Sequence, residues 1–298
     1  MNPTGLLHLL VVYVVWSSTY VAFRLGVGPE GGWEPFIMGA ARFIPAGLAL
    51  LAFAYWRKMR VRLSWQEFKT LSVTGMVLWV GGNGLILIAA QYAPSNYQAL
   101  MVAASPIWAN SLEAYLNRRL PSPWLVLGLV LGLVGIGVLS VPKLVEPSQT
   151  SLLAFVLLLL SPMCWATGSV ITQRASLGLE PVVVSGYQQL FGGLAFALIA
   201  PLLGEQWTNP STQGWLAQIY LIVAGSWVAY TSYIYAVRLL PLAIVMTYAY
   251  VNPVLTAILG WLVLREGITL WTVAGAVLVL IGVGLVFRSR VPAPAKTP

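Results

Sequence analysis

The sequence predicts an all-α integral membrane protein of ten transmembrane helices, arranged as two inverted five-helix repeats around a central cavity. Three observations carry that reading. Apolar residues make up 59% of the 298-residue chain and charged residues 8%, with no aspartate, a balance too poor in charge for a water-soluble protein. Mean hydropathy is +0.83, and the apolar residues gather into stretches of about 20, enough to cross ~30 Å of hydrocarbon as helices. The chain also repeats itself at an offset of 147 residues.

The spans fall at 6–26, 35–56, 70–92, 95–116, 123–142, 151–173, 181–203, 215–237, 241–264 and 269–287. The first lacks a basic leader and a small-residue cleavage site and runs on into WSSTYVAFRLG, so it reads as a retained helix. The connections are too short for a soluble domain, and 291–298 reads as a disordered tail. With the N-terminus cytoplasmic, the inner connections hold Arg57, Lys58, Arg60, Arg62, Lys69, Arg118, Arg119, Arg174, Arg238, Arg288, Arg290 and Lys296. The outer ones hold Lys143 and Arg265, with Arg24 and Arg42 inside spans. Both termini are therefore expected on the cytoplasmic side. The net charge of +8 follows from this bias and calls for no nucleic acid. A single cysteine, Cys164, allows no internal disulfide and gives no metal-ligand spacing; it reads as packing, and no metal or cofactor is expected.

The 147-residue offset pairs Pro94 with Pro241, Pro106 with Pro253, Trp124 with Trp271, Gly128 with Gly275, Gly135 with Gly282 and Gly137 with Gly284. Apolar composition alone matches leucine to leucine, but it does not bring proline, tryptophan and glycine into register together. Nearby offsets pair Trp16 with Trp165 and Trp79 with Trp227. Five spans thus repeat as five, and an odd number of crossings makes the second copy enter from the opposite side. The repeats are 1–143 and 144–290. Inverted repeats of this kind are typical of secondary transporters, with the binding site near the midplane between the halves.

Candidate site residues follow from depth. Ser105-Pro106 and Asn252-Pro253 sit at the centres of the fourth and ninth spans, where proline frees a carbonyl that only protein or a watery cavity tolerates. A packing kink explains each proline alone; their symmetry favours a cavity wall. Trp16 and Trp165, with Ser169 near, and Trp79 and Trp227, with Asn83 and Tyr230 within a turn, lie at mid-depth rather than at the interface. Met101, Tyr248 and Gln98 lie within two turns of the prolines. Gln188 and Gln189 either hydrogen-bond a solute or bridge helices. The glycines of the fifth and tenth spans read as close helix contacts. No Asp, Glu, His, Lys or Arg side chain other than Arg42 comes near a midplane; Glu113 lies toward the cytoplasm, where Asn117 or Arg118 is in reach as a structural ion-pair or hydrogen-bond partner. Arg42 either snorkels, bonds the carbonyls of a broken helix, or attracts a carboxylate.

The stretches WSSTYVAFRLG, GAARFIPAGL, YAPSNYQALMVAASPIWANSLEAYLNRRLPSPWLVLGLVLGLVGIGVL, WATGSVITQ and VNPVLTAILGWLVLREGITLWTVAGAVLVLIGVGLV together resemble the drug/metabolite transporter superfamily and its EamA-like family. Within it the chain is most similar to the YddG-type amino acid exporters. The first repeat departs from the LREG turn of the second, reading LNRRL. The resemblance implies a multi-pass protein of the bacterial inner membrane, exporting neutral, aromatic and other hydrophobic amino acids or related metabolites by alternating access. A drug or cation efflux pump of the same superfamily is the alternative, and it would want a midplane glutamate. The implied partners are a small-molecule substrate and the bilayer; monomer and homodimer stay open. An enzyme is not expected: there is one histidine and no nucleophile-base set, and GVGPEG at 26–31 follows no strand.

Overall fold

In the computed structural model the apolar runs become helices, and the structure describes residues 1–27, 31–89, 101–144, 152–264 and 268–289. In chain order the helices are α1 (Pro3–Val27), α2 (Pro35–Trp56), α3 (Trp65–Ala89), α4 (Ser105–Asn117), α5 (Pro123–Leu144) and α6 (Leu152–Arg174). They continue as α7 (Pro181–Ile199), α8 (Thr212–Leu239), α9 (Leu242–Val245), α10 (Tyr248–Leu264) and α11 (Leu270–Arg288). Among the described residues, eight helical stretches are long and apolar enough to cross a membrane. Of the other two predicted spans, the first is the 25-residue α1, and the fourth is described only from residue 101 onward.

Local chemistry sets the helix starts. Proline occupies the first turn of α2 and α7, where its missing N–H would be unpaired in any case. Ser64 and Glu67 form a capping box ahead of α3, Thr269 and Thr272 form another ahead of α11, and the Ser211 hydroxyl accepts from Gly214 N–H ahead of α8. Within α3 the segment Met76–Gly84 is wound as π-helix, and so is Leu221–Tyr230 within α8.

The two proline sites differ. The chain turns at 103–104, and Pro106 then stands in the first turn of α4. Pro253, by contrast, does not break its helix: α10 runs through it, and the turn comes earlier, at 246–247. Only about one helical turn precedes Pro253 in α10, so its missing donor sacrifices little of the hydrogen-bond ladder. The expected partner of Glu113 is also corrected. Among the described residues Glu113 makes no ion pair, and Asn117 accepts from the Arg174 guanidinium at 2.6 Å instead.

Two helix pairs pack most extensively, α5 with α11 and α2 with α7. Glycine makes both possible. A Cβ on Gly128 would sit 2.7 Å from the Gly282 carbonyl oxygen, and one on Gly135 would sit 2.9 Å from that of Gly275. In the other pair, a Cβ on Gly47 would lie 2.6 Å from the Gly186 carbonyl oxygen. Backbones this close need the small-residue seams seen between membrane helices. Cys164 is half-buried and packs against Gly81.

Candidate functional site

The centre of the molecule is a continuous set of aromatic rings from α1, α2, α3, α6, α8 and α10. Trp16 meets Tyr248 at 4.9 Å and Tyr233 at 5.2 Å between ring centroids, and stands edge-on to Trp165 at 5.8 Å. Trp165 stands edge-on to Trp79 at 5.7 Å, and Trp79 packs on Tyr230 at 4.6 Å and Phe43 at 4.1 Å. Tyr233 lies 5.9 Å from both Tyr230 and Tyr248, closing the ring of contacts. Such pairs contribute ~0.5–1.5 kcal/mol each beyond the area they bury. Small residues set the rings in place: a Cβ on Gly82 would meet Trp165 at 2.8 Å, and one on Gly192 would meet Trp79 at 2.5 Å.

Of the residues singled out from the sequence, Trp79, Trp165, Tyr230 and Tyr248 meet in this cluster, and the Ser169 hydroxyl joins it 2.5 Å from that of Tyr233. Trp79 is 3% exposed, and its Nε1 has no hydrogen-bond partner among the described residues. Asn252, one turn beyond Tyr248, has a buried Oδ1 that is likewise unpaired. The rest are placed otherwise. Trp227 is half-buried and donates its Nε1–H to the Ala46 carbonyl at 3.2 Å, joining α8 to α2. Met101 packs with Ala89, Ala154 and Leu158 in a separate apolar cluster. Ser105 is buried with its hydroxyl turned back to the Val102 carbonyl at 2.7 Å, and Asn83 is half-buried in the π-wound part of α3. Gln98 lies outside the described residues.

Gln188 bridges helices. Its amide donates to Thr74 at 2.8 Å and Thr172 at 2.9 Å, and its oxygen accepts from the Tyr230 hydroxyl at 2.8 Å. One residue of α7 thereby ties α3, α6 and α8 beneath the rings. Gln189 differs: its amide nitrogen contacts Ser185 and the Ser226 carbonyl, while its Oε1 is buried and unpaired among the described residues.

The comparisons with known proteins fit this architecture. The model of the EamA-like transporter family matches twice, over residues 3–141 and 152–288. The chain belongs to the EamA-like transporter family. YedA of Escherichia coli strain K12, named as an inner membrane transporter, is 32% identical over 257 residues, which is 85% of this chain and 80% of YedA. A WAT1-related chloroplast protein of Arabidopsis thaliana is 24% identical, over 93% of this chain and 68% of its own length. A solved crystal structure at 20% identity superposes with a TM-score of 0.83, covering 97% of this chain and 99% of the other, so the two share a fold.

In this EamA-like transporter two central features escaped the sequence reading, and Arg42, whose role the sequence left open among three, takes a definite place. Tyr233, 1% exposed, lies at the middle of the rings; its spacing of three from Tyr230 puts both on one helical face, a signal present in YTSYIY. The π-wound segments carry Trp79 in α3 and Tyr230 in α8, the two residues that meet at 4.6 Å. Such winding recurs at functional sites and has no residue pattern that announces it. Arg42 is 4% exposed, with its Nε donating to the Ser226 hydroxyl at 2.8 Å and its guanidinium 4.9 Å from the Phe43 ring centroid.

Proposed function

We propose that this EamA-like transporter exports neutral amino acids, aromatic and other hydrophobic ones among them, or related small metabolites, across a bacterial inner membrane. Transport runs by alternating access, with residues 1–143 and 144–290 rocking as two inverted halves and both termini in the cytoplasm. One observation carries the reading: the centre of the molecule is a buried cluster of tryptophan and tyrosine rings, with the Arg42 guanidinium at its border. When the rings part, their faces and edges suit an apolar or aromatic side chain. The Trp79 Nε1–H then offers a donor to a polar group of the solute.

The inverted arrangement is supported by the glycines of α5 and α11. The offset pairs Gly128 with Gly275 and Gly135 with Gly282, whereas the close approaches are Gly128 to Gly282 and Gly135 to Gly275. A two-fold relation produces this exchange, in which each residue meets the counterpart of its neighbour. The two separate stretches of family match and the two π-wound segments support the same division.

Proteoliposomes loaded with labelled phenylalanine, tryptophan, methionine and threonine should exchange them with external amino acid. Exchange of a quaternary ammonium dye without any amino acid would favour the drug-pump reading instead, in which the rings hold a cation against their faces. Strict dependence on a pH gradient would contradict a cycle without a midplane carboxylate. Trp165→Ala and Tyr248→Ala should each lower exchange well below wild type while the purified proteins keep a cooperative thermal transition; unchanged rates would remove both from the solute path.

A further inference from the structure

Beside the ring cluster lies a buried polar site. The Arg42 guanidinium rests against Gly225, where a Cβ would stand 2.5 Å from Nη2, so glycine leaves the room the group occupies. The Gly225 carbonyl in turn accepts the Trp16 Nε1–H at 3.5 Å, so the cation and the edge of the ring cluster meet at one residue. Ser226, next in the chain, accepts from Arg42 Nε through its hydroxyl and contacts the Gln189 amide through its carbonyl. Gln189 is fully buried, and its Oε1 stands without a hydrogen-bond partner among the described residues. A planar fork of donors and an unused amide acceptor thus adjoin the same serine, at the border of an aromatic surface.

We propose that this site holds the charged end of a zwitterionic α-amino acid, with the carboxylate on the Arg42 guanidinium and the ammonium on Gln189 Oε1. The inference rests on the amino acid reading above and adds to it how the backbone groups of the solute are recognised. A guanidinium matches a carboxylate in two parallel hydrogen bonds, and a buried cation at membrane depth commonly marks a solute path. An amide oxygen suits an ammonium whose charge the solute's own carboxylate balances. The side chain then points toward Trp16 and the rings beyond it, so one solute spans both parts of the site.

The test is competition against labelled phenylalanine exchange in proteoliposomes of the full-length protein, using unlabelled L-phenylalanine, phenethylamine and 3-phenylpropionate. The last two lack the carboxylate and the ammonium respectively. Each charge-assisted bond supports a preference on the order of ten- to a hundredfold. Wild type should prefer phenylalanine over both analogues by at least that lower figure. Arg42→Gln should abolish the preference over phenethylamine, and Gln189→Leu that over 3-phenylpropionate. Gly225→Ala, which displaces the guanidinium without removing it, should reproduce the first effect and decides the matter if Arg42→Gln fails to fold. Full discrimination in these variants overturns the inference and leaves the transport reading standing. Wild-type exchange of phenylalanine with no preference over either analogue does the same. Absence of any amino acid exchange by wild type overturns the transport reading, and this inference with it.

Discussion

At the scale of single residues, polar groups at mid-depth divide into those that hold helices together and those, such as Trp79 Nε1 and Gln189 Oε1, with no hydrogen-bond partner among the described residues. Gln188 belongs to the first kind: Thr74 and Thr172 keep their bonds to helix carbonyls without it, but the Tyr230 hydroxyl loses its acceptor. Gln188→Leu should therefore destabilise the protein by ~1–3 kcal/mol, the cost of one stranded buried donor. The double variant with Tyr230→Phe should recover part of that loss, since both partners are then apolar. Chemical unfolding in detergent measures the cycle, and strictly additive effects would mean the bond contributes nothing. Gly192 poses the complementary case. A Cβ there would stand 2.5 Å from the Trp79 indole, so Gly192→Ala should displace that ring and reduce exchange without removing any functional group.

At the scale of elements, the glycines of α5 and α11 make a sharp comparison. A Cβ on Gly282 would stand 2.8 Å from the Gly128 carbonyl oxygen and 2.7 Å from the Gly132 nitrogen, backbone atoms that cannot give way, whereas one on Gly137 or Gly284 would meet nothing within 4 Å. Gly282→Val should abolish the folded protein, while Gly137→Ala and Gly284→Ala should be neutral or stabilise by up to ~1 kcal/mol through helix propensity. Size-exclusion profiles and melting temperatures distinguish these outcomes. The seam itself was legible in the sequence, because the repeat brings small residues into register on two helices. The ring cluster was legible in part, because tryptophan away from the interface is uncommon and the offset pairs Trp16 with Trp165. What was not legible depends on rotation about a helix axis. Depth in the membrane places Trp227 and Trp79 alike, yet one turns to the Ala46 carbonyl and the other into the rings. The turn at 246–247 contains neither glycine nor proline, so Pro253, which the helix accommodates, drew attention away from it.

At the scale of the whole molecule, the connection entering α2 is fastened to the one leaving α7. Trp33 stands edge-on to Trp207 at 5.7 Å and to Trp215 at 4.9 Å, and Ser211 N–H donates to the Gly31 carbonyl at 3.1 Å. The Glu205 carboxylate completes the junction by accepting from Phe36 N–H at 2.9 Å and Ile37 N–H at 2.8 Å, so a residue beyond α7 caps the start of α2. Burial pushes the Glu205 carboxyl above its ordinary range, the two N–H groups oppose that rise, and the like charge of Glu34 adds to it. A carboxyl raised in the folded state contributes stability that is fully present below its unfolded value, 4.5, and is lost as the pH climbs through the folded one. Glutamine at this position keeps an acceptor but does not titrate. Measured by thermal unfolding in detergent, wild type should therefore gain stability relative to Glu205→Gln as the pH is lowered from about 7 to about 5, the interval above the unfolded value where a raised carboxyl takes up its proton. A difference between the two proteins that stays constant over that interval, or moves against wild type, would show that the N–H groups outweigh burial and hold the carboxylate ionised at the junction.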